Sequence, residues 1–189
     1  GLPYFKKFVY KYPSVTHLAN ANEEEVLKMW QGLGYYSRAR NMHQTAKYVS
    51  HCLHGKFPAD HKGLMQLKGV GDYTASAIAS ICYNEPKAVV DGNVYRVLSR
   101  YFNVNLPINS TKGQKYFKEL ATSLLPNANV RDYNQAIMEF GALQCTPKKP
   151  DCGTCPLNDG CLALKNGTMA NLPIKTKKKG IKKRHFNYL

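Results

Sequence analysis

Leu67-Lys-Gly-Val-Gly-Asp-Tyr-Thr-Ala75 is a short turn set between two apolar patterns. Met65 and Leu67 close the segment before it, while Ala75, Ile78, Ala79 and Cys82, three or four apart, share one face of the helix predicted to follow. Gly69 and Gly71 bracket Val70, and glycine lets a backbone bend tightly and bring N–H groups at a helix start close to an anion. Asp72 stands where a capping residue would open the helix. The stretch suits a hairpin that grips phosphate, and it equally suits an ordinary helix–turn–helix connection.

Outward from the turn the same helical period recurs. Asn22 precedes Glu23, Glu24 and Glu25, an N-cap followed by acids in the first turn, then Val26, Leu27, Met29 and Trp30 before a stop at Gly32. Ala39, Met42, Ala46, Val49 and Leu53 step by threes and fours as far as Gly55. Val94, Val97, Leu98 and Tyr101 mark another helix, Phe117, Leu120, Ala121 and Leu124 a further one, and Ala136, Ile137, Phe140 and Leu143 the last before a cysteine cluster. Cys52 and Cys82 fall within helical patterns and are expected in the core. Lys165 to Gly180, rich in Lys, Asn, Gly and Thr, reads as a basic solvated connector, and Phe186, Tyr188 and Leu189 as the start of a strand in a truncated C-terminal domain, residues 181–189. The fold class expected is all-α.

Three further motifs carry chemistry. Cys145, Cys152, Cys155 and Cys161 form a C-x6-C-x2-C-x5-C array. Thiolates are soft ligands, and one short C-x2-C with unequal flanks suits an iron–sulfur cubane better than the paired spacing of tetrahedral zinc, which stays open. Closing the loop around a metal would fix Lys148 and Lys149 where they could meet phosphates. In Val89-Val-Asp-Gly-Asn-Val-Tyr-Arg-Val-Leu98, Asp91 is either a turn residue capping the next helix or a carboxylate beside a cationic transition state. In Gln31-Gly-Leu-Gly-Tyr-Tyr-Ser-Arg-Ala-Arg40, a glycine pair, two aromatics and two arginines could wedge bases and hold phosphates, or Tyr36 could simply pack in a core.

The 189 residues carry 27 Lys plus Arg against 12 Asp plus Glu, a net +15. Seven of the bases lie from Lys175 onward, and the body before them keeps an excess of eight, so both parts suit a polyanion. No apolar run is long enough for a membrane span, and Gly1 to Tyr10 lacks the pattern of a secretory signal, so a cytoplasmic protein, nucleoid-associated if bacterial, is expected.

In this order the four motifs resemble those of the helix-hairpin-helix DNA glycosylase superfamily with its cysteine cluster, most closely its adenine DNA glycosylase branch, over about Leu2 to Lys179. The resemblance implies a two-lobed helical core over residues 1–164. A barrel-like lobe would span about 20–125, and a cluster-bearing lobe about 126–164 plus the N-terminal residues. It implies a 4Fe–4S cluster on the four cysteines and a monomer acting on double-stranded DNA that carries adenine opposite 8-oxoguanine or guanine. Tyr35 would intercalate; Gln31, Arg38, Leu67, Gly69, Val70, Gly71, Lys148 and Lys149 would contact DNA. Asp91 would stabilise the sugar cation, with Asn93 in the same pocket.

Tyr73 occupies the position where the endonuclease III branch has a nucleophilic lysine, which implies base removal without efficient strand cleavage. The family's general-acid glutamate would lie upstream of Gly1, and Glu23, Glu24, Glu25, Glu85, Glu119 and Glu139 match no catalytic position. A fragment of an active enzyme, itself poorly active, is therefore expected, lacking also a Nudix-like C-terminal module. The competing readings are an endonuclease III-like glycosylase/lyase, a non-catalytic cluster-bearing DNA-binding module, and a zinc-stabilised RNA-binding protein.

Overall fold

A computed structural model describes residues 1–176; the expected strand start at Phe186 to Leu189 lies outside them. The described residues contain no strand and form ten α-helices: α1 Leu2–Lys11, α2 Val15–Ala19, α3 Glu23–Met29, α4 Ser37–Cys52, α5 His61–Leu64, α6 Asp72–Tyr83, α7 Gly92–Tyr101, α8 Thr111–Ser123, α9 Val130–Leu143 and α10 Leu162–Lys165. They group into two compact units, one of residues 1–89 and 125–134, the other of 90–124 with 135 onward.

In the first unit, α3 starts as its sequence dictates, with the Asn22 side chain accepting from the Glu24 N–H at 2.9 Å. Val49 of α4, Leu64 of α5, Leu67 of the turn and Ala75 and Ala79 of α6 pack as one buried cluster, so the hairpin is clamped on α4. Helix α6 ends at Asn84 in the left-handed conformation, and the Glu85 N–H donates to Ala79 O at 3.0 Å, satisfying a carbonyl at the helix end. Asn134, 1% exposed, accepts from the Val89 N–H at 3.1 Å and donates to Lys87 O at 2.9 Å, fixing the extended segment that runs into Asp91.

In the second unit, Val94, Val97 and Leu98 of α7 are buried with Phe117 and Ala121 of α8, Ala163 of α10 and Leu172. Tyr95 meets the Phe117 ring edge-to-face at 5.3 Å. Ser110 caps α8 by accepting from the Gly113 N–H at 3.0 Å.

Three sequence expectations are corrected. Cys52 and Cys82 are exposed, because each lies in the last turn of its helix, α4 and α6, past the packed stretch. The cap of α6 is Gly71 in an extended conformation, and Asp72 is the first helical residue, paired with His61 Nε2 at 3.0 Å. Within the expected connector, residues 165–176 are mostly exposed, as expected, but anchored at points: Leu172 is buried, Ile108 N donates to Ile174 O at 2.9 Å, and Asn109 and Thr176 exchange hydrogen bonds at 2.9 Å. Polar composition hid this, since backbone groups and small polar side chains do the docking. Residues 90–124 group with the cysteine segment, which side chains of α7 hold.

Candidate nucleic-acid interface and cysteine centre

The first unit carries two of the candidate motifs. At the hairpin turn Gly69 has φ +77, and a Cβ there would lie 2.6 Å from the Asn41 side chain, so glycine is required twice over. Thr45 Oγ1 donates to Lys68 O at 3.0 Å, Leu67 is buried, Val70 is half-buried, and Gly71 leads into α6 with open space around its Cα. Tyr73 follows on the first turn, half exposed. A groove beside the turn is lined by Tyr12, Arg38, Asn41, Lys68, Gly69 and Val70, which brings the Gln31–Arg40 motif and the hairpin together.

The loop before α4 holds Tyr35 at φ +48 with its ring 82% exposed. A non-glycine residue in that conformation costs energy unless its surroundings fix it, and they do. Trp30 Nε1 donates to Gly34 O at 2.9 Å, and Arg38 Nη2 donates to Leu33 O at 3.1 Å with its guanidinium 5.3 Å from the Trp30 ring and 5.7 Å from that of Tyr35. Arg38 thus braces the loop that presents Tyr35. Gln31 is exposed in the same loop, and Tyr36 stands at the start of α4, 40% exposed rather than in the core.

The second unit carries the other two motifs. Asp91 caps α7: its Oδ1 accepts from the Asn93 and Val94 N–H groups, both at 2.8 Å, and its Oδ2 accepts from Asn93 Nδ2 at 2.8 Å. Three donors fix the direction of the carboxylate at the helix N-terminus. Asn93 is oriented in turn by Arg96, whose Nη2 donates to Asn93 Oδ1 at 2.9 Å and to Gly141 O, while its Nε donates to Cys145 O at 2.7 Å. A continuous chain of hydrogen bonds therefore joins Asp91 to the backbone of the first cysteine. Burial pulls the Arg96 guanidinium below its usual range, a shift opposed by the Cys145 thiol, reinforced by Arg100 and opposed again by Asp91.

Arg100, one turn further along α7, wraps the cysteine loop. It donates to Thr146 O at 2.8 Å, Pro147 O at 3.2 Å and Leu172 O at 3.1 Å, and its Nη1 lies 3.4 Å from Cys145 Sγ. Cys145, Cys152, Cys155 and Cys161 line one chamber walled by Val97, Tyr101, Phe140, Leu157, Leu164 and Met169. Burial raises the Cys152 thiol, and the other three cysteines add to the rise. Four cysteines around one apolar chamber fit an iron–sulfur cluster, the group their spacing favours. Lys148 and Lys149 are exposed on the loop between the first two cysteines, Lys149 at φ +48.

Sequence reasoning missed Arg96, Arg100 and Asn134. A usable signal existed for the arginines: Arg96 and Arg100 are four apart among Val94, Val97 and Leu98, on a helix too apolar at those positions for both charges to be solvated.

Residues 2–126 match the family model described as HhH-GPD superfamily base excision DNA repair protein, and residues 145–161 match the iron–sulfur binding domain of endonuclease III. The chain belongs to the HhH-GPD superfamily of base excision DNA repair proteins, with a 4Fe–4S cluster as its cofactor. Its curated relatives include the adenine DNA glycosylase of Buchnera aphidicola subsp. Schizaphis graminum, 37% identical over 95% of this chain and 52% of that protein. Those of Mus musculus and Homo sapiens are 42% and 44% identical over 91% and 85% of the chain, and 34% and 30% of their own lengths. The chain thus spans about half the length of the bacterial relative, and less of the mammalian ones. Among solved structures, a thermostable thymine-DNA glycosylase superposes with a TM-score of 0.79 at 31% identity, covering 87% of this chain and 76% of that one. A non-covalent endonuclease III–DNA complex gives 0.75 at 24%, with the same coverage, and supports the fold.

Proposed function

We propose that the chain is the glycosylase core of an enzyme that removes adenine from double-stranded DNA, where it is mispaired with 8-oxoguanine or guanine, by hydrolysing the N-glycosidic bond. The observation that carries this reading is Asp91, a carboxylate fixed by three donors at 2.8 Å in a chain that resembles adenine DNA glycosylases across bacteria and mammals. The base must leave the stack to react, and the sugar left behind develops positive charge that a preorganised carboxylate stabilises. Asn93 would hold Asp91 in place, while Tyr35 and the Leu67–Gly71 turn, with Lys148 and Lys149, would engage the duplex. Cys145, Cys152, Cys155 and Cys161 would be the cluster's ligands, and the bound cluster would serve to fix the loop bearing those lysines.

Four glutamates are engaged elsewhere: Glu23 with Arg40, Glu25 with Lys11, Glu85 with His61 N and Lys87, and Glu119 with Lys115. None of these four is proposed as the general acid, a role that contributes on the order of 10²- to 10⁴-fold in such hydrolyses. Gel-shift and single-turnover excision on one mispaired duplex test the reading: binding with loss of adenine is expected, no binding would defeat it, and binding without base loss would favour the non-catalytic module. Tyr73 cannot form the Schiff base that a lysine would, so abasic product should remain unnicked until alkali is added. Nicking as fast as base loss would favour the glycosylase/lyase alternative.

A further inference from the structure

The segment after the last cysteine is bound where nothing in the proposed DNA chemistry needs it. Thr168 Oγ1 donates to Asn103 Oδ1 at 2.6 Å, Leu172 is buried with its carbonyl held by Arg100 Nε at 3.1 Å, and Ile174 O and Thr176 are pinned to Ile108 and Asn109 at 2.9 Å. Between the first two anchors Met169 forms part of the cysteine chamber's wall, with its Sδ 3.2 Å from Cys152 Sγ. Met169 is half-buried, so one side faces the thiols and the other remains open to small solutes.

We propose that residues 168–176 are a strap sealing the cysteine chamber, and that Met169 is its oxidisable plug, a modification site through which peroxide loosens the cluster. The inference rests on the reading that the four cysteines hold that cluster. A thioether is apolar and fills irregular space, which suits it to excluding water from a metal–sulfur site. Hydrogen peroxide transfers one oxygen to Sδ: the O–O bond breaks, an S–O bond forms, the sulfur is oxidised to the sulfoxide, and the peroxide is reduced to water. The product is polar and cannot remain against the chamber's apolar wall without drawing water in. Arg100 makes the coupling mutual, because it grips both the Leu172 carbonyl of the strap and the Thr146 carbonyl of the cysteine loop.

The test uses the cluster-loaded full chain, with the cluster's visible absorbance as readout during challenge by an iron chelator. Protein is treated briefly with hydrogen peroxide, quenched with catalase, and analysed by peptide mass for oxidation at Met169 before the challenge. Met169→Leu keeps an apolar plug of similar volume that cannot be oxidised, and Met169→Gln mimics the polar product without oxidant. We expect Met169→Gln to lose colour about tenfold faster than wild type, and Met169→Leu to match untreated wild type while resisting the acceleration that peroxide causes. The strap is overturned if Met169→Gln holds its cluster as wild type does, or if peroxide-treated wild type and Met169→Leu decay alike although Met169 is oxidised. A colourless wild type would overturn the cysteine assignment as well, whereas a coloured wild type with an indifferent Met169→Gln overturns the strap alone.

Discussion

At Asp91 a structural and a chemical demand fall on the same atoms. The carboxylate is a helix cap, as its sequence neighbourhood allowed, and the cap is what aims it. Asparagine caps a helix about as well as aspartate but carries no charge. Asp91→Asn should therefore leave urea unfolding within about 1 kcal/mol of wild type while lowering single-turnover excision by roughly 10²- to 10³-fold. Equal losses of stability and rate would make Asp91 a cap and nothing more. Arg96 poses the complementary case, since its removal strands Asn93 Oδ1, Gly141 O and Cys145 O together. Arg96→Gln should cost about 1–3 kcal/mol in urea unfolding, and excision should fall further than duplex affinity as Asn93 and Asp91 lose their orientation. The spacing of Arg96 and Arg100 among apolar positions marks them as unusual, but their partners were not legible: the carbonyls of Gly141, Cys145, Thr146, Pro147 and Leu172 that help make their burial tolerable lie far along the chain.

Among the elements, those with a local signal were legible. Asn22 with three glutamates announced α3, and apolar steps from Ala39 to Leu53 announced α4, because caps and periodicity act over a few residues. The helices α2, α5 and α10 have four or five residues each, too few for a period, and they depend on packing with α4, α6 and α7. Docking of 165–176 was invisible for the same reason, its partners Arg100, Ile108 and Asn109 lying some seventy residues earlier in the chain. Close approach of α9 and α7 can be tested at Gly141, where a Cβ would sit 2.7 Å from Asn93 Cβ and 2.9 Å from Asn93 O. Both atoms belong to the backbone or to a side-chain root, so neither can swing away. Gly141→Ala should destabilise by about 1–3 kcal/mol in denaturant melts and lower excision by displacing Asn93, whereas Gly71→Ala, with nothing within 4 Å, should be mild in stability.

For the molecule as a whole, charge and chain path carry the remaining consequences. With a net +15, duplex affinity should fall steeply with salt, and a Lys148→Ala/Lys149→Ala pair should flatten the log–log slope by about 2 if each lysine meets one phosphate. An unchanged slope would remove the cysteine loop from the proposed interface. Composition alone carries the expectation of a polyanion partner, whereas the grouping of residues 90–124 with the cysteine segment depends on contacts that sequence distance conceals.

The polypeptide passes from one unit to the other after Val89, returns at Leu125, and leaves again after Asn134. The first unit therefore receives its final piece, with the Asn134 clip on Lys87 and Val89, only after all of residues 90–124 have been translated. On the ribosome neither half can mature as a finished module before the other has begun, and in evolution neither can be exchanged by a single recombination event. Gene fusions that append a module to this core are thus expected at its outer borders, and the two halves should be inherited together.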